Sequence, residues 1–182
     1  MKKAVGLLEF NSIAAGIEII DTVIKSSRIE VIQALPVCPG KYIAMFHGDV
    51  GSVQSAIETG EKASDEYLVD SFILANVHDE VVSALTGTTE VDEIKALGII
   101  ETFSVASGIV AADTAVKTAQ VSLLEVRTAR GMGGKSLVLF TGDIGSVSMA
   151  VDSAASSAGK EGMLVNKSII PSVHKDLWNK II

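Results

Sequence analysis

AVGLLEFNSIAAGIEIIDTVIK, residues 4–25, and ALGIIETFSVASGIVAADTAVK, residues 96–117, agree at ten of 22 positions. Most of the remaining positions exchange one aliphatic side chain for another. Further along, GKYIAMFHGDVGSV (40–53) matches GKSLVLFTGDIGSV (134–147) at eight of 14, and LVDSFILANVH (68–78) matches LVNKSIIPSVH (164–174). The offset grows from 92 to 94 to 96, so the second copy carries two small insertions. One falls where LPVCPGK (35–41) faces RTARGMGG (127–134), the other near GKEG (159–162). A repeat of about 90 residues is too long for a solenoid unit and long enough for a small domain. Two tandem domains follow, 1–90 and 91–182, with the polar segment GTTEVDEI (87–94) as linker.

Within each copy, local chemistry predicts the elements. AVGLLEF is a short apolar run suited to a buried strand. Ser12 is placed to cap a helix carrying Ile13, Ile17, Ile20 and Ile24 along one apolar face. RIEVIQAL and KYIAMFHG read as two strands, joined by a turn with Pro39 and Gly40 in the central positions of type II. Asp49 is a candidate N-cap for the helix VGSVQSAIETGEKAS. LVDSFILANV is a last strand and DEVVSAL a short closing helix. The order βαββαβ is the split βαβ, ferredoxin-like pattern, an α/β (α+β) fold with helices against a largely antiparallel sheet. The second copy repeats it and ends in a segment containing Trp178. Similar copies usually pack side by side, so a duplicated chain tends towards pseudo-symmetric rings.

Composition narrows the function. Hydrophobic residues make up 48% of the 182, which allows a real core, while aromatic residues are only 4%. That leaves few stacking platforms for single-stranded nucleic acid. A formal charge of −7 also argues against a nucleic-acid partner, since phosphate binding needs basic surface. The opening MKKAVGLLEF meets Glu9 too early for a secretory leader, and no apolar run approaches the ~20 residues of a membrane span. A single cysteine provides no disulfide framework, in keeping with a reducing cytoplasm.

That cysteine, Cys38, lies between Pro36 and Pro39 at the tip of the expected turn. A buried, inert thiol is the ordinary fate of a lone cysteine, and a proline-flanked turn is a poor place for one. Other candidates reduce to structure. GMGGKS (131–136) ends like a phosphate loop, but position 129 is Ala where that motif needs Gly, and the segment lies between two strands. His78 and His174 recur at strand ends, whereas His47 aligns with Thr141. Asp49 and Asp143 recur as expected helix caps. Lys25 and Lys117 recur at a helix C-terminus, where a cation is favoured. Lys41 has its counterpart in Lys135, so it belongs to the domain pattern rather than to Cys38.

ALGIIETFSVASGIVAADTAVKTAQVSL, GGK, GDIGSVSMAVDSA and IIPSVH together resemble a bacterial microcompartment shell domain, and the first copy fits the same pattern over nearly its whole length. Tandem shell domains resemble the trimeric shell proteins, in which three chains form a pseudohexamer that tiles with other shell proteins. VCPGK resembles the pore loop of iron–sulfur shell proteins from propanediol-utilisation compartments. The resemblance implies a non-enzymatic homotrimer in a shell within the cytoplasm, with three Cys38 residues holding one 4Fe–4S cluster on the axis. It implies electron transfer across the shell, or to an encapsulated or cytosolic redox enzyme. It also places Lys25 and Lys117 at the tile edge, where neighbouring tiles meet. The usual IPRPH segment reads IIPSVH in one copy and LANVH in the other, so Ser172 and Asn76 stand where an edge arginine is expected. Two alternatives are a metal-free tile whose central pore passes metabolites, and an enzyme or nucleotide sensor on duplicated ferredoxin-like domains.

Overall fold

Ala4, Val5, Leu7 and Leu8 are all buried, so strand β1 (Lys3–Phe10) is covered on both faces. It lies between two antiparallel neighbours, as a central strand must to satisfy its backbone groups. The computed structural model describes residues 3–91, 95–129 and 131–181. After β1 come helix α1 (Ile13–Ser26), strands β2 (Glu30–Val37) and β3 (Lys41–Asp49), helix α2 (Val50–Ser64) and strand β4 (Leu68–Ala75). A short 3-10 turn, Asp65–Tyr67, precedes β4. The sheet order is β2-β3-β1-β4, and helix α3 (Asp79–Thr86) follows. The second half repeats the series as β5 (Ala96–Thr102), α4 (Val105–Thr118), β6 (Val121–Thr128), β7 (Ser136–Gly142), α5 (Ile144–Lys160) and β8 (Leu164–Ile170). Its sheet runs β6-β7-β5-β8, closed by helix α6 (Lys175–Ile181). Both sheets have the order expected of the split βαβ pattern, with antiparallel pairs throughout.

The chain divides into two compact units, Met1–Val82 and Ser83–Ile182. In the first, Ile19, Ile20 and Val23 of α1 and Val53, Ala56 and Ile57 of α2 pack on Leu8, Ala44 and Phe46 of the sheet. Each repeat uses the same close approach at its centre. Gly6 stands opposite Phe46 and Gly98 opposite Phe140, and each ring lies over its glycine. A Cβ on Gly6 would come within 2.5 Å of Phe46 Cε2. The phenylalanine thus supplies the packing that glycine lacks in a strand.

One expectation about α1 is corrected. Ser12 caps the helix as expected, accepting from the Ala15 N–H at 3.3 Å. The buried face, however, is Gly16, Ile19, Ile20 and Val23; Ile13, Ile17 and Ile24 are exposed. The helix is apolar on two faces, and Gly16 lies on the one that meets the sheet, against Tyr42 and Phe10. The described part of the expected linker is also not a free loop. Thr89 donates its hydroxyl to the Leu124 carbonyl, and Val91 packs against Leu97, Leu124 and Leu139. Residues 92–94 of that linker lie outside the described residues.

Candidate functional site

Cys38 is free and exposed at the tip of the β2–β3 hairpin. Register pairs Pro36 with Tyr42 and Val37 with Lys41, and the turn closes through the Gly40 N–H donating to the Val37 carbonyl at 2.9 Å. The central positions are therefore Cys38 and Pro39 rather than Pro39 and Gly40. The Cys38–Pro39 peptide is cis, which makes this a type VI turn in place of the expected type II. Gly40, at φ 88, takes the left-handed conformation that glycine adopts without penalty. Behind the turn, Lys41 pairs with Glu9 at 2.7 Å, as Lys135 pairs with Glu101 at 2.9 Å in the second repeat. This shared ion pair confirms Lys41 as part of the domain pattern.

The matching loop of the second repeat is longer and is closed by backbone hydrogen bonds. The Ala129 N–H donates to the Lys135 carbonyl, and the Met132 N–H to the Ala129 carbonyl. Ala129, Gly131, Gly133 and Gly134 all have positive φ. The loop joins β6 to β7, with Lys135 held by Glu101, so nothing in it resembles a strand-to-helix phosphate loop. Arg130 lies outside the described residues.

The remaining candidates settle into structural roles. His78 Nδ1 accepts from the Glu80 N–H at 3.4 Å and His174 Nδ1 from the Asp176 N–H at 3.2 Å, each at the entry to a short helix. His47 Nε2 lies 3.4 Å from Glu30 Oε2. Asp49 caps α2, its Oδ1 accepting from the Ser52 N–H at 3.0 Å and its Oδ2 from the Ser52 hydroxyl at 2.6 Å. The hydroxyl bond, with the N–H bond behind it, holds the Asp49 carboxyl below its ordinary pKa. Asp143 occupies the N-cap position of α5 but makes no cap bond with its side chain, which pairs instead with Lys95 at 3.2 Å. Lys25 and Lys117 pair with Asp21 and Asp113, one helical turn back, at 2.5 and 2.6 Å. Asn76 and Ser172 are exposed, and Asn76 has φ 56. Among the described residues, no group of three or more His, Cys, Asp or Glu side chains could hold a metal ion within one chain.

Two faces differ between the repeats, which inspection of the sequence alone did not find. On the first, Ile17 of α1 is 54% exposed while its counterpart Ile109 of α4 is 0% exposed. Ile13 and Val31 are likewise exposed, and their counterparts Val105 and Leu123 are buried. On the second face the order reverses: Val81 of α3 is 0% exposed, its counterpart Leu177 of α6 46%. Each of these faces is therefore open in one repeat and buried at the aligned positions of its counterpart. The signal in the sequence was the aliphatic stripe Ile13, Ile17, Ile20 and Ile24 itself, of which Ile20 alone is buried.

The model of the BMC domain family matches residues 4–77 and 96–173. The chain belongs to the BMC domain family. As a BMC-domain protein it is a structural component of a bacterial microcompartment shell and not an enzyme. It is 44% identical, over the whole of this chain and 99% of the relative, to the bacterial microcompartment shell protein PduT of Citrobacter freundii. Over 84 residues, 46% of this chain and 85% of the relative, it is 37% identical to the shell protein EutM of Salmonella typhimurium. The crystal structure of a microcompartment protein from Desulfitobacterium hafniense DCB superposes with a TM-score of 0.95 at 50% identity. That match covers 97% of this chain and 98% of the other. No helix among the described residues is long and apolar enough to cross a membrane.

Proposed function

We propose that three chains close head to tail into a pseudohexameric shell tile whose three Cys38 thiolates hold a 4Fe–4S cluster on the threefold axis. The observation that carries this reading is the position of the chain's one thiol, free and exposed at a hairpin tip. Thiolates are the usual ligands of such clusters, and one chain supplies one. A position near a threefold axis supplies three, leaving the fourth iron to another ligand. When bound, the cluster provides a one-electron relay, which suits electron transfer across a shell or to a redox enzyme beside it.

The ring is supported by the two open faces. Where the patch on one repeat meets the different patch on the other repeat of a neighbouring copy, the contact is heterologous, and such a contact closes into a ring when the rotation allows. Ile13, Ile17 and Val31 give one side its apolar surface and Leu177 the other. Pro36 and Pro39 restrict the backbone on either side of Cys38, which reduces the entropy lost when the sulfur is held.

Iron and sulfide analysis of anaerobically purified protein, with native mass measurement, tests the reading. The expected result is a brown trimer with one cluster per three chains, and a colourless trimer for Cys38→Ser. An unaltered trimer that stays free of iron after anaerobic reconstitution with iron and sulfide overturns the cluster. Cys38 then lines a small opening for metabolites.

A further inference from the structure

The two repeats differ in the core at the base of the β2–β3 hairpin. In the first, Phe10 and Tyr42 are buried cross-strand partners on β1 and β3, and both rings lie against Gly16 of α1. A Cβ at Gly16 would come within 2.7 Å of Tyr42 Cδ1 and 3.0 Å of Phe10 Cδ2, so the notch is filled to its floor. At the same places the second repeat has Thr102, Ser136 and Gly108. There the Ser136 hydroxyl donates to the Arg127 carbonyl at 3.1 Å and the Thr102 hydroxyl to the Ser104 carbonyl at 2.8 Å. The aromatic pair therefore sits only beneath the loop that carries Cys38.

Its position matters because β2 is the edge strand of its sheet, next to β3, with Val31 and Ala34 exposed. Tyr42 stands opposite Pro36, which has no N–H to give to the ladder. At that end of the hairpin the ladder has one donor fewer, and side-chain packing adds to the Gly40–Val37 backbone bond that closes the turn. Val37, next to Cys38, is buried, and Tyr42, four positions after Cys38, is the buried aromatic residue closest to it. We propose that Tyr42, seated with Phe10 in the Gly16 notch, is a positioning residue for Cys38 that holds the hairpin at one tilt from the sheet. Its purpose rests on Cys38 being the cluster ligand; the tilt itself does not. Three sulfurs meeting on an axis magnify any error in tilt, because a radial shift of each one changes every sulfur–sulfur separation by more than the shift.

Because the chain has a single cysteine, a nitroxide attached to iron-free protein reports on Cys38 without further substitution. In Tyr42→Ser the nitroxide is expected to reorient about threefold faster than in the unaltered protein, within the range of side-chain motions. Tyr42→Phe, which keeps the ring, is expected to restore the unaltered spectrum. After anaerobic reconstitution, Tyr42→Ser is expected to hold iron roughly tenfold more weakly against a chelator, with Tyr42→Phe unchanged. If Tyr42→Ser fails to fold, Tyr42→Leu, apolar but without the ring, decides by the same spectra. Equal nitroxide mobility in the unaltered protein and the ring-less variant overturns the positioning role. An immobile nitroxide in unaltered protein that never takes up iron overturns the cluster and leaves the placement of the hairpin standing.

Discussion

Asp49 and Asp143 close the same Gly-Asp step in the two repeats, yet only Asp49 turns its carboxylate onto its own helix. The difference lies in Lys95, which draws Asp143 away, and in the Ser52 hydroxyl, which holds Asp49 in place. Asp49→Ala is therefore expected to lower the thermal midpoint more than Asp143→Ala does, by calorimetry at neutral pH. The sign with pH follows from the depressed carboxyl. A group whose folded-state pKa lies below its unfolded value stabilises fully above that unfolded value, and the contribution is lost as pH falls through the folded one. The excess loss in Asp49→Ala should therefore shrink as the scans move down from the ordinary value of 3.8. Proton titration by NMR should place Asp49 below that value. An excess loss that persists at the lowest pH would assign it to something other than the charged cap.

Strands and helices act through packing, and the glycine–phenylalanine pairs show how tightly. Gly98→Ala places a methyl group inside the Phe140 ring, as overpacking of a filled core, and should cost about 1–3 kcal/mol in urea unfolding. Gly145→Ala, where nothing lies within reach of the new methyl, should cost nothing measurable in the same experiment. At this scale most of the fold was legible. The buried run of β1, the cap at Ser12 and the repeat itself give the order of elements, because each depends on neighbours in sequence. Two points were not legible, and for definite reasons. The α1 helix has apolar residues on both sides of Ile20, so periodicity alone cannot choose whether Ile13, Ile17 and Ile24 or Ile19 and Val23 are buried with it. The pair Pro39-Gly40 suits a type II turn as well as it follows a type VI turn, and the register of β2 against β3 decides.

For the molecule as a whole, the open face of α1 is the feature to test. Ile17→Lys places its charge in water and should leave the circular dichroism unchanged, while sedimentation is expected to show monomers in place of the proposed trimers. The same variant should carry no cluster, since one thiol cannot hold what three are proposed to share. Ile109→Lys puts the same charge at a fully buried position and should destabilise the protein by several kcal/mol or prevent folding. Monomers of Ile17→Lys that retain iron would separate the cluster from the ring. The site was legible only in part: Cys38 could be placed at a turn tip from its prolines, but the convergence proposed for it depends on surfaces that no stretch of one chain spells out. The Phe10–Tyr42 anchor was open to view in the alignment of the repeats, as aromatic against small polar, and gained meaning only when Gly16 was seen between the rings.

The unequal hairpins have an evolutionary consequence. In a tile built from six identical one-domain chains, any loop mutation arrives in every loop at once. Here the gene carries the Cys38 hairpin and the glycine-rich hairpin as separate texts, so selection can resize or recharge one while the sulfur stays where it is. Duplication thus gives the lineage two independent dials, one for the hairpin that carries the sulfur and one for its glycine-rich counterpart.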